Sequence, residues 1–337
     1  MKKNIDKLEK QVAIRKSRSE NLILRSEEGA IPNDAKYGEV VSIVGKDVLV
    51  EAEIDGKILE VHCVQTGTII SKSKHSNLVS AGDFVYFIYD SNALSKIIKV
   101  ADRTTKFSRV SPSNRNREQI IAANIDTVVI FVSALEPTLN TRFIDRYLVT
   151  AKLNNITPII CVNKIDLCKR NSIAKLMLPY KKLGIEIHLI SVLKNTGISA
   201  LKKKILNKKS VISGVSGAGK SSFLNNILGY KAQAVREINE RTNKGTHTTS
   251  FSKRYRLSNK GWIIDTPGLR EFGIWDLSKD EIGVIFPDFA DYFLRCKYTS
   301  CTHTHEPDCA VIKAVDIGEI DLERYNSYLN IYDSLES

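Results

Sequence analysis

One octapeptide decides the fold: Gly214-Val215-Ser216-Gly217-Ala218-Gly219-Lys220-Ser221. It fits the pattern G-x-x-x-x-G-K-[ST], in which glycines let backbone N–H groups turn inward around phosphate groups. Residues 211–213 before it predict a short buried strand, and residues 221–228 after it predict a helix whose N-terminus favours negative charge. We therefore expect Lys220 to reach the β and γ phosphates of a nucleotide and Ser221 to bind Mg²⁺. The alternative is a chance match in a turn rich in Gly and Ser, and the loop alone leaves ATP and GTP open.

A second motif predicts which base the nucleotide carries. Asn163-Lys164-Ile165-Asp166 directly follows the apolar residues 158–162, which predict a strand. The Asp166 carboxylate can accept hydrogen bonds from N1–H and the N2 amine of guanine, whereas adenine has an acceptor at N1 and no such amine. We expect Asn163 to contact O6 or N7 and the stem of Lys164 to pack along the base. Such tetrapeptides are common on surface loops, but at the end of a strand beside a phosphate loop this one predicts guanine-nucleotide binding.

Further segments complete the predicted nucleotide site. Asp265-Thr266-Pro267-Gly268 directly follows the apolar residues 262–264, which predict a strand. We expect Asp265 near Mg²⁺ and the Gly268 N–H near the γ-phosphate. The alternative is an ordinary Pro-Gly turn. Ser191-Val192 follows a predicted strand at 185–190, where a second base-contacting loop would lie. Either Thr248 or Thr249 would complete the Mg²⁺ shell. The predicted nucleotide and Mg²⁺ ligands are Asn163, Lys164, Ile165, Asp166, Gly214, Val215, Ser216, Gly217, Ala218, Gly219, Lys220, Ser221, Ser222, Thr248, Thr249, Asp265 and Gly268.

The order of these motifs is rotated relative to a conventional GTPase, in which the phosphate loop comes first. Here the base-reading segments precede the phosphate loop, and Asp265 comes last. The same sheet can form if the original N- and C-termini are joined and the chain begins at another loop instead. Such a circular permutation is tolerated because chain termini usually lie on the surface. The segment after Asp265 should respond to the γ-phosphate and leads into a cysteine-rich region, so nucleotide state could be transmitted there directly.

The remaining sequence predicts modules on both sides of an α/β unit. Five short strands at 40–44, 48–54, 58–63, 84–89 and 97–100, with Asp55-Gly56 as a type I′ turn, favour an OB- or SH3-like barrel. Alternating strands and helices after residue 125 predict a mostly parallel sheet with helices on both faces. The predicted domains are a basic N-terminal extension at 1–36, an OB-like β-barrel at 37–105, a permuted GTPase domain at 115–275 and a zinc-binding helical domain at 276–337.

The metal prediction rests on four residues, Cys296, Cys301, His303 and Cys309. Three thiolates and one imidazole form a complete structural Zn²⁺ shell, which leaves no open position for catalysis. His305 is a spare imidazole, and spacing alone does not exclude an exchange with His303. Free thiols are the alternative, whereas a disulfide framework does not suit a reducing compartment.

Charge and hydropathy indicate the class of partner. The net charge of +12 arises from 50 Lys and Arg against 38 Asp and Glu, which favours a polyanion. Five basic residues and no acidic one lie between 103 and 117, and five lysines lie between 202 and 209. Each run alone could be solvated surface; together they favour nucleic acid, with affinity that falls as salt rises. Apolar runs are too short to span a bilayer and the first thirty residues lack a secretory pattern, so we expect a cytoplasmic protein without membrane contact.

The permuted order, the barrel before it, the cysteine cluster after it and Gly245-Thr246-His247-Thr248-Thr249 resemble the ribosome small-subunit-dependent GTPase A family (RsgA, also called YjeQ). The segment 306–311 and Arg324-Tyr325-x-x-Tyr328 extend the resemblance, which covers roughly residues 37–330. It implies GTP hydrolysis stimulated by the 30S subunit, binding of 16S rRNA and a role in late subunit maturation. It also implies a catalytic histidine at His247 and favours His303 as the metal ligand.

Leu269 stands where many GTPases carry a water-orienting Gln, so another group must align the water. His247 is the best local candidate, together with Lys220 as the second catalytic residue; the alternative is an ordinary polar loop histidine. We expect a monomer with slow intrinsic hydrolysis, roughly 10⁻⁴ to 10⁻² per second.

Competing functions are an RNA-binding scaffold with little hydrolysis and a permuted GTPase for another ribosomal target. An ATPase or a kinase is disfavoured, because a protein that binds adenine would not use the guanine-reading carboxylate of Asp166.

Overall fold

The structure is a computed structural model that describes residues 31–70, 76, 78–229, 252–266 and 272–335. The predictions for His247, Thr248, Thr249, Gly268 and residues 1–30 lie outside these residues. Within the described ranges, every helix is too short or too polar to cross a membrane.

A small barrel forms the first unit, as predicted. Its strands are β1 Lys36–Val44, β2 Asp47–Ile54, β3 Lys57–Ile70, β4 Phe84–Ile88 and β5 Ser95–Val100. Because β1 pairs with both β2 and β4, and β3 pairs with β5, the sheet closes on itself. Asp55 and Gly56 have φ of 50° and 76°, as a type I′ turn requires. Alternate side chains such as Val50, Val85 and Phe87 are completely buried inside the barrel.

A hairpin that the sequence does not predict follows the barrel. Its strands are β6 Lys106–Ser111 and β7 Asn114–Ala123, paired antiparallel. Charged and polar residues dominate its outer half, so the alternation of apolar residues is visible only near its base. There Phe107 and Ala122 are fully buried and join the core of the α/β unit. The hairpin is therefore anchored at its base and projects its tip into solvent.

A mainly parallel sheet forms the α/β unit, in the order β10-β9-β8-β11-β13-β12. The strands are β8 Thr127–Ser133, β9 Thr157–Asn163, β10 Glu186–Leu189, β11 Lys209–Gly214, β12 Lys253–Arg256 and β13 Trp262–Asp265, of which β12 is antiparallel. The helices are α1 Thr141–Leu153, α2 Arg170–Leu176, α3 Leu178–Lys182, α4 Ile198–Ile205 and α5 Lys220–Leu228. Ile130 packs with Tyr147 of α1 on one face, and Phe131 packs with Phe223 of α5 on the other. The prediction of helices on both faces is confirmed.

The helical segment between β9 and β10 is divided into the two short helices α2 and α3. They meet at Met177, immediately before α3. Pro179 has no N–H to donate, and in a continuous helix its ring would collide with the carbonyl of Lys175.

The barrel and the α/β unit share a continuous sheet through β12 and β1. Ser42 pairs with Lys253 across this junction. Arg254 of β12 is almost buried and forms ion pairs with Glu39 at 2.5 Å and with Glu51 at 2.9 Å. The strand β12 is short and charged, so the sequence predicts neither the strand nor this junction.

The C-terminal unit is helical and has its own core. Its helices are α6 Lys279–Ile285, α7 Ala310–Asp316 and α8 Leu322–Ser334. The sequence predicts a helical domain here but not the two shorter helices within it. Phe286, Phe289 and Tyr328 are buried at the centre of this unit, and Val149 of α1 joins the same cluster. The unit therefore packs directly on the α/β unit.

Candidate functional site

The phosphate-loop motif forms a tight turn between β11 and α5. Gly217 and Gly219 have φ of 80° and 96°, a region that residues with a Cβ rarely adopt. The turn draws Lys220 inward, so that its side chain is only 7% exposed. Its Nζ donates to the carbonyl oxygens of Gly214 at 2.9 Å and Val215 at 3.0 Å. The ammonium group thus lies within the loop, where phosphate oxygens could replace these carbonyl partners.

Gly214 is required by the close approach of β11 and β8. A Cβ at this position would lie 1.8 Å from the carbonyl oxygen of Phe131. We expect Gly214→Ala to lower the free energy of unfolding by about 1–3 kcal/mol, as overpacking does, measured by urea denaturation. Lys203→Ala is the control, because Lys203 is exposed on α4 and outside this close contact. Equal shifts of the two urea midpoints would contradict this role of Gly214.

The predicted base-reading loop lies directly against the phosphate loop. Asn163 ends β9, and its Nδ2 donates to the carbonyl oxygen of Ala218 at 2.8 Å. Its Oδ1 accepts from the backbone N–H of Val192 at 3.1 Å. A Cβ at Gly219 would lie 2.4 Å from Asn163 Nδ2, so glycine permits this approach. The Asn163 side chain therefore connects its own loop with the phosphate loop and with the loop after β10. A direct contact between Asn163 and the base stays a prediction.

Lys164 extends the same connection on the other side. Its backbone is left-handed, with φ of 61°, and its Nζ donates to the carbonyl oxygen of Glu136. The adjoining Pro137 lines the phosphate loop, since its Cδ lies 3.7 Å from the Cβ position of Gly217. The segment 136–137 is not predicted from the sequence, although its place after β8 at the carboxyl edge of the sheet was an available indication. Asp166 follows with its side chain exposed at this edge.

The weakly predicted loop after β10 also reaches this edge. Ser191 and Thr196 form a β-bridge, and Ser191 Oγ accepts from the N–H of Lys194 at 3.0 Å. The N–H of Ile165 donates to the carbonyl oxygen of Ile190 at 3.3 Å, which joins the loop to the Asn163 motif. Loops after β9, β10 and β11 thus meet where open α/β sheets bind ligands.

Asp265 is brought to the same edge by β13. It lies opposite Ile212 of the neighbouring β11 and is 8% exposed. Thr266 follows, and its hydroxyl donates to the carbonyl oxygen of Ile212 at 3.0 Å. The described part of the site therefore gathers Asn163, Asp166, Asp265 and the phosphate loop at one edge. This arrangement can hold a nucleotide with a metal ion beside its phosphates, although the individual ligand roles stay predictions.

The cysteine cluster forms a second site in the C-terminal unit. The donor atoms of Cys296, Cys301, His303 and Cys309 all lie within 4.8 Å of one another. His303 Nδ1 lies 3.5 Å from Cys296 Sγ and 3.4 Å from Cys309 Sγ, and these two sulfur atoms are 3.9 Å apart. Tetrahedral Zn²⁺ with Zn–S bonds of about 2.3 Å places its sulfur ligands about 3.8 Å apart. The donor set and its spacing therefore fit a metal ion.

The structure places His303, rather than His305, in the cluster. Burial lowers the pKa of His303 to about 4, so the imidazole is neutral at pH 7, as a metal ligand must be. His305 is exposed, and its Nδ1 lies 2.8 Å from Thr304 Oγ1. The Tyr325 hydroxyl donates to the carbonyl oxygen of His303 at 2.8 Å, which holds the ligand loop.

Glu306 orders the loop between the second and third cysteines. It accepts hydrogen bonds from the N–H groups of Thr302 at 2.6 Å and Thr304 at 3.1 Å. Burial alone would raise its pKa, but hydrogen bonds from the Thr302 hydroxyl and from the backbone N–H groups of Thr302 and its neighbours outweigh burial and lower the pKa to about 2. The Tyr328 hydroxyl donates to the carbonyl oxygen of Thr302 at 2.5 Å. Residues that carry the sequence resemblance in this region therefore support the metal-ligand loop.

Comparison with known proteins agrees with this architecture. The family model described as RsgA GTPase matches residues 100–275. A small ribosomal subunit biogenesis GTPase RsgA from Chlorobaculum parvum is 37% identical, covering 90% of this chain and 99% of the relative. The protein of the same name from Phocaeicola vulgatus is 35% identical, with 89% and 97% covered.

Two solved structures superpose on most of this chain. YjeQ from Thermotoga maritima superposes with a TM-score of 0.67 at 29% identity, covering 89% of this chain and 98% of that protein. YloQ, described as a circularly permuted GTPase, gives a TM-score of 0.65 at 25% identity, with 92% and 98% covered. With the rotated motifs gathered at one sheet edge and these relatives matching almost end to end, this chain belongs to the RsgA family of circularly permuted GTPases.

Proposed function

We propose that this chain hydrolyses GTP to GDP and phosphate during late maturation of the small ribosomal subunit, and that the subunit stimulates the reaction. The observation that carries the proposal is the pair of hydrogen bonds by which Asn163 joins the base-reading loops to the phosphate loop. The curated relatives are named small ribosomal subunit biogenesis GTPases, which supports the choice of partner. Because ribosomal subunits assemble in the cytoplasm, we place the chain there, acting as a monomer.

The proposed chemistry assigns a task to each part of the nucleotide site. Lys220 and the backbone N–H groups of its loop bind the β and γ phosphates. Ser221 and Asp265 would hold Mg²⁺, together with Thr248 or Thr249. The bound ion would supply positive charge beside the phosphate oxygens. The His247 imidazole aligns the attacking water, since Leu269 lacks a hydrogen-bonding group.

The proposed role of the C-terminal unit begins with a structural Zn²⁺ ion. The four donor atoms of Cys296, Cys301, His303 and Cys309 would fill a tetrahedral shell, which leaves no position for a substrate. Packing of this unit against Val149 of α1 supports a role in holding the GTPase domain in a fixed orientation.

We propose that the tip of the β6–β7 hairpin contacts 16S rRNA. Two basic residues of the run at 103–117 have internal partners, since Arg103 pairs with Asp83 at 2.7 Å and Lys106 with Glu118 at 3.1 Å. Arg115 lies on the outer part of β7 with its side chain exposed, as does Arg117 two residues further on. These two arginines can therefore reach phosphate groups without breaking a buried ion pair, which supports the hairpin tip as the RNA contact.

Phosphate release under multiple turnover, with and without purified 30S subunits, tests the function. We expect slow release by the protein alone and an increase on the order of 10²-fold or more with 30S subunits. The absence of turnover in both cases would favour the RNA-binding scaffold. Equal stimulation by 50S subunits would favour another ribosomal target.

The double variant Arg115→Ala/Arg117→Ala tests the RNA contact. We expect weaker 30S binding and a plot of log affinity against log salt that is less steep by about 2, because two phosphate contacts are lost. Lys181→Ala/Lys182→Ala is the matched control, which removes two exposed charges from α3. Co-sedimentation at several salt concentrations measures both variants. The same change of slope in both would contradict a specific role for the hairpin.

A further inference from the structure

Helix α1 lies between the nucleotide site and the C-terminal unit, and two of its buried polar side chains contact different partners. Asp145 is 1% exposed and Tyr147 is completely buried. Residues two positions apart on an α-helix point in directions about 200° apart, so these side chains leave opposite sides of α1. Tyr147 faces the nucleotide site and Asp145 faces the C-terminal unit. A polar group buried this deeply persists only when it is hydrogen-bonded, which makes both contacts specific.

Tyr147 begins a chain of hydroxyl groups beneath the phosphate loop. Its hydroxyl lies 2.8 Å from Ser213 Oγ, and Ser213 directly precedes Gly214. Ser213 Oγ lies 3.1 Å from Thr266 Oγ1, which is 3.0 Å from the carbonyl oxygen of Ile212. Thr266 Oγ1 can donate to the carbonyl oxygen of Ile212 or to Ser213 Oγ, and either hydroxyl of the Tyr147–Ser213 pair can be the donor. The three hydroxyl groups therefore form one connected chain from α1 to Thr266.

The ring of Tyr147 contacts the chain again beyond Thr266. Its centroid lies 4.3 Å from that of Phe272. Thr266 immediately precedes the Pro-Gly residues expected at the γ-phosphate, and Phe272 lies six residues later in the chain. The hydroxyl of Tyr147 reaches Thr266 through Ser213, and its ring packs against Phe272. One side chain is therefore connected both to Thr266, through Ser213, and to Phe272.

Asp145 connects α1 to the C-terminal unit through Arg324 of α8. The guanidinium group of Arg324 donates to Asp145 through one nitrogen and to Asp288 through others. Tyr180 donates to Asp145 at 2.8 Å, and its ring stacks 4.7 Å from the guanidinium carbon. Burial raises the pKa of Asp145, and the positive charge of Arg324 opposes this shift. Because Arg324 is 2% exposed, this fork fixes α1 against the C-terminal unit.

We propose that Tyr147 is a positioning residue for GTP hydrolysis, and that the Arg324–Asp145 ion pair holds the helix from which it acts. Through Ser213 and Thr266, Tyr147 sets the position of the adjoining Asp265 beside the expected Mg²⁺. The inference rests on the proposed GTPase function. It adds that the C-terminal unit affects the nucleotide site by a second route, through α1, besides the direct chain connection after Asp265.

The hydroxyl chain is tested with variants that keep side-chain shape. Tyr147→Phe keeps the ring and loses the hydroxyl, and Thr266→Val loses the hydroxyl at constant shape. For both we expect the Mg²⁺ concentration at half-maximal hydrolysis to rise about 3- to 10-fold, as for one lost hydrogen bond. Affinity for GDP without Mg²⁺ should change less than about twofold. Thr266→Ser retains a hydroxyl and should restore the Mg²⁺ dependence.

The outcomes separate this inference from the proposed function. Absence of hydrolysis by the unaltered protein would defeat the function itself. Hydrolysis by the unaltered protein together with an unchanged Mg²⁺ requirement in Tyr147→Phe would overturn the positioning role alone. A uniform loss of GDP and GTP binding with a lowered urea midpoint would also overturn it, because that pattern indicates general destabilisation.

A double-mutant cycle tests the coupling to the C-terminal unit. Arg324→Lys keeps the charge but loses the planar fork that joins Asp145 to Asp288. We expect it to raise the Mg²⁺ requirement, and we expect Tyr147→Phe/Arg324→Lys to resemble Tyr147→Phe alone, since both changes act through one side chain. Effects that multiply would contradict the coupling. If Arg324→Lys does not fold, Tyr180→Phe removes one hydrogen bond to Asp145 and enters the same cycle.

Discussion

Replacing Asp166 with Asn is expected to transfer the nucleotide preference of this chain from guanine to xanthine. The Asp166 carboxylate would accept from N1–H and the N2 amine of guanine, whereas an Asn amide group presents a donor to that amine. Xanthine carries a carbonyl at C2, which accepts from the amide. Sites that pair buried polar groups in this way discriminate by factors of about 10⁴, so we expect GDP affinity to fall by on the order of 10²- to 10⁴-fold.

Direct titration with GDP and with XDP by isothermal titration calorimetry measures this change. Xanthosine diphosphate should bind the Asp166→Asn variant more tightly than GDP, in reverse of the unaltered protein. Asp280→Asn is the control, because Asp280 is an exposed acid in the first turn of α6 and outside the nucleotide site. Unchanged GDP affinity in Asp166→Asn would remove Asp166 from the base site.

The parts of the nucleotide site that the sequence predicts are those fixed by local chemistry. A phosphate loop needs glycines with positive φ at set positions, and Gly217 and Gly219 adopt such values. The motif that begins at Asn163 needs only the end of a strand, and β9 ends at that residue. Short-range requirements of this kind leave a pattern in adjacent residues, so they can be recognised without knowledge of the fold.

The contacts that the sequence does not predict join residues distant in the chain. Tyr147 and Ser213 are 66 positions apart, and Asp145 and Arg324 are 179 positions apart. Tyr147 has the spacing of an ordinary core residue on α1, and nothing local distinguishes its hydroxyl from an accidental one. The role of such a side chain emerges only when the fold supplies its partner, which explains why these contacts depend on the structure.

The metal cluster lies between these two cases. Thiol and imidazole spacing identifies the cluster, but it leaves His303 and His305 as alternatives. The fold decides between them through packing, since the ring of His303 meets Phe289 edge-on at 5.4 Å. A Cβ at Gly283 would lie 2.9 Å from the same imidazole, so this glycine leaves room for the ring. The choice of ligand is therefore a consequence of the helical core around it.

Removal of the metal ion is expected to unfold the C-terminal unit. Binding of structural Zn²⁺ contributes on the order of 10 kcal/mol to the folding of small modules, which is comparable to the whole stability of a domain. We expect the purified protein to contain one Zn²⁺ per chain and to lose its folded C-terminal unit when a strong chelator removes the ion. The midpoint of thermal unfolding should fall by on the order of 10 °C.

Two histidine variants provide the matched comparison. His303→Ala should lose the metal and reproduce the effect of the chelator, whereas His305→Ala should keep both the metal and the unfolding temperature. Since Val149 of α1 lies in the core of the C-terminal unit and Asp145 pairs with Arg324, loss of the metal should also raise the Mg²⁺ requirement for hydrolysis. If metal-free protein unfolds at the same temperature as the metal-bound form, the cluster contributes nothing to the fold, and coupling through α1 would have to arise from Arg324 and the apolar core alone.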